Sequence, residues 1–195
     1  VTNYGPNQLL RNLGDGRFAD ATSEAGADDD RWSTSALFFD YDGDGHLDLY
    51  VVNYVTFDLV RNPACYAASS RRDYCGPSGF PPQADRLLRN RGDGSFEDVT
   101  LRALSGYRPG PGLGAAAADL DGDGRPDLYV ANDGEPNQLW LNAGDGTFRE
   151  RALLAGVAVN AEGRAEASMG VDIADFDGDG DEDLFMTHLA GETNT

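Results

Sequence analysis

The chain has 195 residues, of which 40% are hydrophobic, enough for one sizeable core or for a run of small repeats. Its 34 acidic and 15 basic residues give a formal net charge of -19. This charge argues against nucleic acid and anionic membranes as partners, because both are bound through basic patches. No run of about 18 apolar residues occurs, so we expect no membrane insertion.

The first residues carry a motif that returns twice along the chain. In residues 7–18 a short apolar segment is followed by Gly-Asp-Gly and a Phe, and residues 85–96 and 137–148 repeat this order. Asp-Gly supplies the positive φ angles that tight hairpin turns need. The motif therefore predicts a β-hairpin in each copy, with Gly-Asp-Gly in a structural role.

Each hairpin is followed by a linker and then by a segment of mostly small residues. These segments predict three inner strands, Ser33–Phe39, Gly112–Ala118 and Ser168–Ala174. Gly and Ala are poor strand formers in general, but they fit where strands crowd together around a central axis. After an acidic loop, a bulkier second strand is predicted at Leu47–Tyr54, Asp127–Asn132 and Asp183–His188.

The acidic loops share a nine-residue pattern, with Asp at positions 1, 3, 5 and 9. Such carboxylates repel one another by several kcal/mol in a compact loop unless a cation lies between them. Calcium takes six to eight oxygen ligands, and the loop can supply them from these four side chains and from the carbonyl of position 7. We expect about three Ca2+ ions, with the ligands Asp40, Asp42, Asp44, His46, Asp48, Asp119, Asp121, Asp123, Arg125, Asp127, Asp175, Asp177, Asp179, Asp181 and Asp183.

The EF-hand loop begins in the same way but fits the rest of the pattern less well. It needs Glu at position 12 and flanking helices, whereas this chain has Val51, Val130 and Met186 there, in strand-like segments. Magnesium prefers a rigid octahedron with several waters, and zinc would call for His or Cys side chains. Solvated acidic turns without metal are the remaining alternative, and three matched copies argue against it.

An insertion at about 56–82 interrupts the repeat and carries both cysteines. Cys65 and Cys75 could close a small disulfide ring, or they could be free thiols. Calcium loops and a disulfide would both indicate an extracellular, cell-surface or periplasmic protein, because cytosolic calcium is scarce and cytosolic thiols stay reduced. The chain begins without Met, and we expect it to be a mature fragment or an excised segment.

The repeating unit predicts an all-β fold, a β-propeller of four-stranded antiparallel blades. The chain would supply about three blade-equivalents, and so a partial or open propeller. Its predicted divisions are a half blade at 1–32, a blade at 33–111 that contains the insertion, a blade at 112–167 and a half blade at 168–195.

The two motifs together resemble the FG-GAP (VCBS-type) repeats of integrin alpha-subunit propellers. They are most similar to those of bacterial and animal secreted proteins related to cartilage acidic protein 1, including Tyr74-Cys75-Gly76-Pro77 in the insertion. The resemblance implies a seven-bladed propeller with calcium in the loops between the first two strands of a blade. When the calcium ligands of the family are matched to this sequence residue by residue, they are the ligands given above.

These features favour a non-enzymatic extracellular adhesion or interaction module with structural calcium and a protein or glycan ligand. A carbohydrate-binding or polysaccharide-processing propeller is an alternative, with candidate aromatic residues Trp32, Tyr54, Tyr66, Tyr74, Tyr107 and Trp140. A further alternative is a polymer subunit that self-associates through its half blades. His46 and His188 do not form a catalytic triad with a nucleophilic Ser, so no enzyme activity is expected.

Overall fold

The computed structural model of the chain describes residues 1–192. Its strands are β1 (Leu10–Asn12), β2 (Phe18–Asp20), β3 (Ser33–Phe39), β4 (Asp48–Asn53), β5 (Cys65–Tyr66), β6 (Arg72–Asp73), β7 (Arg86–Asn90), β8 (Phe96–Asp98), β9 (Gly112–Ala118), β10 (Asp127–Asn132), β11 (Gln138–Asn142), β12 (Phe148–Glu150), β13 (Val171–Ala174) and β14 (Asp183–Met186). The helices are the single turns α1 (Thr22–Ala25), α2 (Thr100–Ala103) and α3 (Ala152–Ala155), together with a 3-10 turn at Pro77–Gly79. The strands pair antiparallel, which confirms the prediction of an antiparallel all-β fold.

Two four-stranded sheets carry most of the fold. Their strand orders are β3-β4-β7-β8 and β9-β10-β11-β12, so neighbours in the sheet are also neighbours in the chain apart from the insertion. Two-stranded sheets, β1-β2 and β13-β14, precede and follow them. All six residues of β4 and of β10 are buried, as expected of strands that are covered on both faces.

The main core lies between the two four-stranded sheets. Buried side chains from both sheets form one cluster, whose largest members include Tyr50, Leu87, Leu128, Trp140 and Phe148. Burial of a large apolar side chain contributes roughly 1.5–3 kcal/mol, so this cluster is a main source of stability. It holds the two sheets face to face.

The inner strands approach closely, as their small residues predicted. A Cβ on Gly112 would lie 2.4 Å from the Cγ1 atom of Val52 in the neighbouring sheet. A Cβ on Gly114 would lie 2.6 Å from the backbone oxygen of Met169. The glycines therefore permit a sheet spacing that larger residues would prevent.

The structure differs from the predicted elements in three respects. The inner strand predicted from Ser168 begins only at Val171, because the pairing with Thr187 is irregular around Gly170, whose N–H is bonded to the Thr187 hydroxyl. The second strand β4 begins one residue later and ends one residue earlier than predicted, and β14 ends two residues earlier. The predicted linkers contain the single-turn helices, which are too short to show a helical period. Residues 193–195 of the predicted half blade at 168–195 lie outside the described residues.

The insertion leaves the first four-stranded sheet at the end opposite its Asp loop, because β4 runs from that loop to Asn53. It contains the short β5-β6 ladder and a disulfide between Cys65 and Cys75, with Cα atoms 5.2 Å apart. The predicted disulfide is thereby confirmed. Within residues 1–192, no helix has the length and apolar character needed to cross a bilayer.

Candidate metal centres

Each Asp loop joins the first two strands of a sheet and is closed by its own first Asp. The Asp40 carboxylate accepts the backbone N–H groups of Gly43, Asp44 and Gly45 at 2.9, 3.2 and 2.9 Å. Gly43 and Gly45 have φ angles of 73° and 83°, which L side chains rarely adopt. The Asp119 and Asp175 loops repeat this type of closure.

Three carboxylates converge in every loop. One oxygen from each Asp at positions 1, 3 and 9 lies within 4.8 Å of the other two, and the three clusters are Asp40-Asp42-Asp48, Asp119-Asp121-Asp127 and Asp175-Asp177-Asp183. Nine of the predicted ligands are thus brought together. The set is of oxygen atoms alone, the type that calcium prefers.

The ninth Asp is fixed by backbone donors from two directions. In the first loop, Asp48 accepts the Tyr41 N–H at 3.1 Å and the Asn90 N–H of β7 at 2.7 Å. Asp127 accepts the corresponding N–H groups of Leu120 and Asn142 at 3.0 and 2.7 Å. The third strand of each complete sheet therefore helps to orient a predicted metal ligand.

Burial makes these ninth carboxylates costly to keep charged. Asp48 and Asp127 are both 0% exposed. Burial raises the pKa of Asp48 to about 6, against the opposing effect of the Asn90 and Tyr41 N–H donors. Burial also raises the pKa of Asp127. A cation beside either group would offset the desolvation of its charge.

The fifth Asp of each loop does not join the cluster. The Asp44 carboxylate accepts the His46 N–H at 2.9 Å, and this bond holds the pKa of Asp44 below its usual value. Asp123 and Asp179 accept the N–H groups of Arg125 and Asp181 in the same way. The seventh residues are thus held against the fifth by their N–H groups.

Arginine side chains also reach the loops. Arg89 of β7 donates to Asp42 at 2.6 Å and to Asp44 at 3.2 Å. In the second loop, the Arg125 side chain pairs with Asp123 and donates to the carbonyl of Asn142. From the sequence, Arg125 was predicted to bind the metal through its backbone carbonyl, and no role was predicted for its side chain.

One oxygen in the first loop has no partner despite its burial. Among residues 1–192, Oδ1 of Asp42 is buried and accepts no hydrogen bond, although Oδ2 is paired with Arg89. A buried acceptor without a partner costs about 1–3 kcal/mol. A metal ion at the cluster would satisfy such an oxygen.

Sequence reasoning missed the contribution of the third strand. Asn90 donates its side-chain amide to the Leu47 carbonyl at 2.9 Å, and Asn142 does the same to the Pro126 carbonyl at 3.1 Å. These asparagines bind the loop through both backbone and side chain. The signal was present, because this Asn recurs before Gly-Asp-Gly in each hairpin motif.

The FG-GAP-like repeat family matches this chain over residues 1–51, 74–130 and 119–186. These segments contain all three Asp loops. The chain belongs to the FG-GAP-like repeat family. The predicted resemblance is therefore confirmed, and the Asp clusters described above are features of FG-GAP-like repeats in this chain.

The chain is also similar to cartilage acidic protein 1 from three animals. The protein from Homo sapiens is 28% identical over 193 residues, which cover 94% of this chain and 24% of the human protein. The proteins from Mus musculus and Xenopus tropicalis are 28% and 27% identical, again over 94% of this chain and over 25% of each relative. The FG-GAP-like repeats described here thus span about a quarter of the length of these relatives.

Proposed function

We propose that this chain is a calcium-stabilised, non-enzymatic extracellular interaction module that forms part of a β-propeller. The observation that carries the proposal is the convergence of three carboxylates in each of three loops. The proposed ions are structural, because they would join the first two strands of each sheet and neutralise acids that are otherwise crowded together.

The donor set fits calcium. It consists of carboxylate oxygens without His or Cys side chains, which disfavours zinc. The unpaired Oδ1 of Asp42 and the buried charges of Asp48 and Asp127 are the groups that gain most from a cation. Asp40 and Asp42 would hold the ion from one side of the first loop, and Asp48 would hold it from the other.

The proposed propeller rests on the sheets and the family together. Four-stranded sheets in chain order, packed face to face around small inner strands, are the units of propeller blades. Membership of the FG-GAP-like repeat family supports the same architecture. The disulfide fits an extracellular location, because such bonds persist in oxidising compartments.

Calcium titration by calorimetry, combined with thermal unfolding, tests the metal proposal. We expect about three ions per chain and a higher melting temperature, with about 2.7 kcal/mol of stabilisation per site at a hundredfold excess over Kd. The variant Asp42→Asn/Asp121→Asn/Asp177→Asn removes the third Asp of every loop and should lose most of this binding.

A matched control removes the same charge from a different turn of each repeat. The variant Asp15→Asn/Asp93→Asn/Asp145→Asn alters only the Gly-Asp-Gly turns, where each Asp accepts a local backbone N–H. It should keep its calcium stoichiometry. Equal loss of binding in both variants, or no effect of calcium on the melting temperature, would show that the loops are not calcium sites. Light scattering on the same samples would test the predicted self-association.

A further inference from the structure

Two adjoining cavities lie at the end of the sheets opposite the Asp loops. One has a volume of about 620 Å3 and lies under the disulfide-closed insertion, and the other, of about 910 Å3, extends toward the loop at 133–137. Pro77 and Phe80 line both, and we name the pair the insertion groove. We propose that the insertion groove binds an extended, basic, proline-rich segment of a partner protein. This inference rests on the proposed role as an interaction module and specifies its partner.

The first cavity is walled by aromatic rings that fix one another. Trp32 lies edge-to-face against Tyr54, with ring centroids 5.1 Å apart, and against Phe57 at 5.7 Å. Phe57 in turn contacts Phe80 at 5.4 Å. All four rings are only partly buried and line the cavity. Partners with the polyproline II conformation dock on aromatic-lined grooves of this kind, because their own conformation is already ordered.

The groove offers hydrogen-bond donors that such a ligand needs. A polyproline II backbone leaves its carbonyl groups without internal hydrogen bonds. Among the described residues, the Trp32 indole N–H has no hydrogen-bond partner, whereas that of Trp140 donates to Gln138 at 3.1 Å. Arg72 and Arg108 also line the groove and form no salt bridge within residues 1–192.

Size and charge indicate a basic polymer rather than a small solute. The two cavities together exceed the range of about 300–1,000 Å3 that is usual for small-molecule sites. Beside the two arginines, the groove is lined by four carboxylates, those of Asp73, Asp133, Glu135 and Glu150. The groove thus carries more negative than positive charge, in agreement with the net charge of -19 of the chain. This excess of negative charge attracts a cationic segment.

Tryptophan fluorescence can follow binding, because the chain has only two tryptophans. Trp32 lines the first cavity and is partly buried, while Trp140 is 1% exposed and lies at the wall of the second cavity, so a ligand in the first cavity should change mainly the emission of Trp32. The probe is the synthetic peptide acetyl-(Arg-Pro-Pro)3-amide, titrated into the 195-residue chain at saturating calcium. The comparison peptides are acetyl-(Glu-Pro-Pro)3-amide and acetyl-(Arg-Gly-Ser)3-amide.

Two exposed tyrosines of the insertion provide matched variants. Tyr74 lines the first cavity and is 98% exposed, whereas Tyr66 is 66% exposed and lines neither cavity. Tyr74→Ala should weaken binding of the Arg-Pro-Pro peptide about fivefold or more, since tyrosine is enriched among the interface residues whose truncation costs over 1 kcal/mol. Tyr66→Ala should leave affinity unchanged within about twofold, and Glu135→Gln should weaken it modestly.

The proposal is supported if the chain binds the Arg-Pro-Pro peptide selectively, and if Tyr74→Ala weakens this binding while Tyr66→Ala does not. Equal binding of the Glu-Pro-Pro or Arg-Gly-Ser peptide overturns it, because charge or backbone conformation would then not be recognised. Absence of binding also overturns it. If calcium still raises the melting temperature in that case, the groove inference fails while the calcium proposal stands.

Discussion

The two four-stranded sheets share a scaffold but differ at matched positions. Both place a small inner strand, an Asp loop and a fully buried second strand in the same order. At three corresponding positions, however, the first sheet has Ser35, Asp85 and Arg89 where the second has Gly114, Asn137 and Leu141. The carboxylate cluster and the hydrogen bonds of the Asn at the end of the third strand occur in both sheets, so none of these three residues is required for the loop geometry.

The largest expected effect concerns the contact between sheets at Gly114. Gly114→Val should reduce the free energy of unfolding by roughly 2–3 kcal/mol, because its Cβ would meet the backbone oxygen of Met169, which cannot rotate away. Ser35→Val introduces the same side chain at the matched position of the first sheet and should cost much less. Chemical denaturation of both variants checks this. Equal destabilisation would mean that the two inner strands are equally crowded.

The second prediction concerns Asp85, which is buried at the position of Asn137 in the other sheet. Burial raises its pKa to about 7, although donation from the Asn53 N–H and from the Tyr50 hydroxyl opposes the shift. The folded protein thus binds this proton more tightly than the unfolded chain does. The contribution of Asp85 to stability is therefore full below about pH 4 and is lost as the pH rises toward 7.

Asp85→Asn should remove this part of the pH dependence. The difference in unfolding free energy between variant and wild type should change with pH by at most about 1.4 kcal/mol per unit between pH 4 and 7, in favour of the variant at higher pH. Urea denaturation across this range measures it. Asn137→Asp should create a similar dependence in the second sheet, and a constant difference at all pH values would contradict the prediction.

The smallest expected effect concerns Arg89 at the first loop. Its guanidinium pairs with Asp42 and Asp44, while the matched Leu141 carries no charge. Arg89→Leu should raise the calcium affinity of the first loop roughly fivefold, since an ion pair of about 1 kcal/mol would no longer compete. Calorimetry measures the calcium affinity of Arg89→Leu and of the control Arg91→Leu, which removes an arginine that is paired with Glu97. Weaker binding by Arg89→Leu would indicate that Arg89 orients the ligands.

Sequence alone predicted the parts of the site that depend on local spacing. Asp40, Asp42 and Asp48 lie within nine residues, so a tight loop brings them together wherever the rest of the chain lies. The pairing of Arg89 with Asp42 joins residues 47 apart, and only the register of β4 with β7 brings them into contact. Long-range contacts of this kind leave no local pattern.

The same distinction applies to the fold. Small residues predicted the close inner strands, and alternating hairpin motifs predicted the sheets. Sequence analysis named Trp32 and Tyr54 as candidate binding aromatics, but it did not predict that they form one wall with Phe57 and Phe80. These residues are dispersed along the chain and meet only through the folding of the insertion. Of the other aromatic candidates, Trp140 is buried in the core, and Tyr107 is partly buried and packs against it.

The hydrogen bonds from Asn90 and Asn142 to the ninth Asp of each loop make these two amides natural reporters of the metal sites. Each amide proton is held by a carboxylate whose charge a calcium ion would stabilise, so its exchange with solvent deuterium should slow when its own loop is filled. The two residues lie in different sheets. Exchange rates at Asn90 and Asn142 would thus distinguish the order in which the two loops take up calcium.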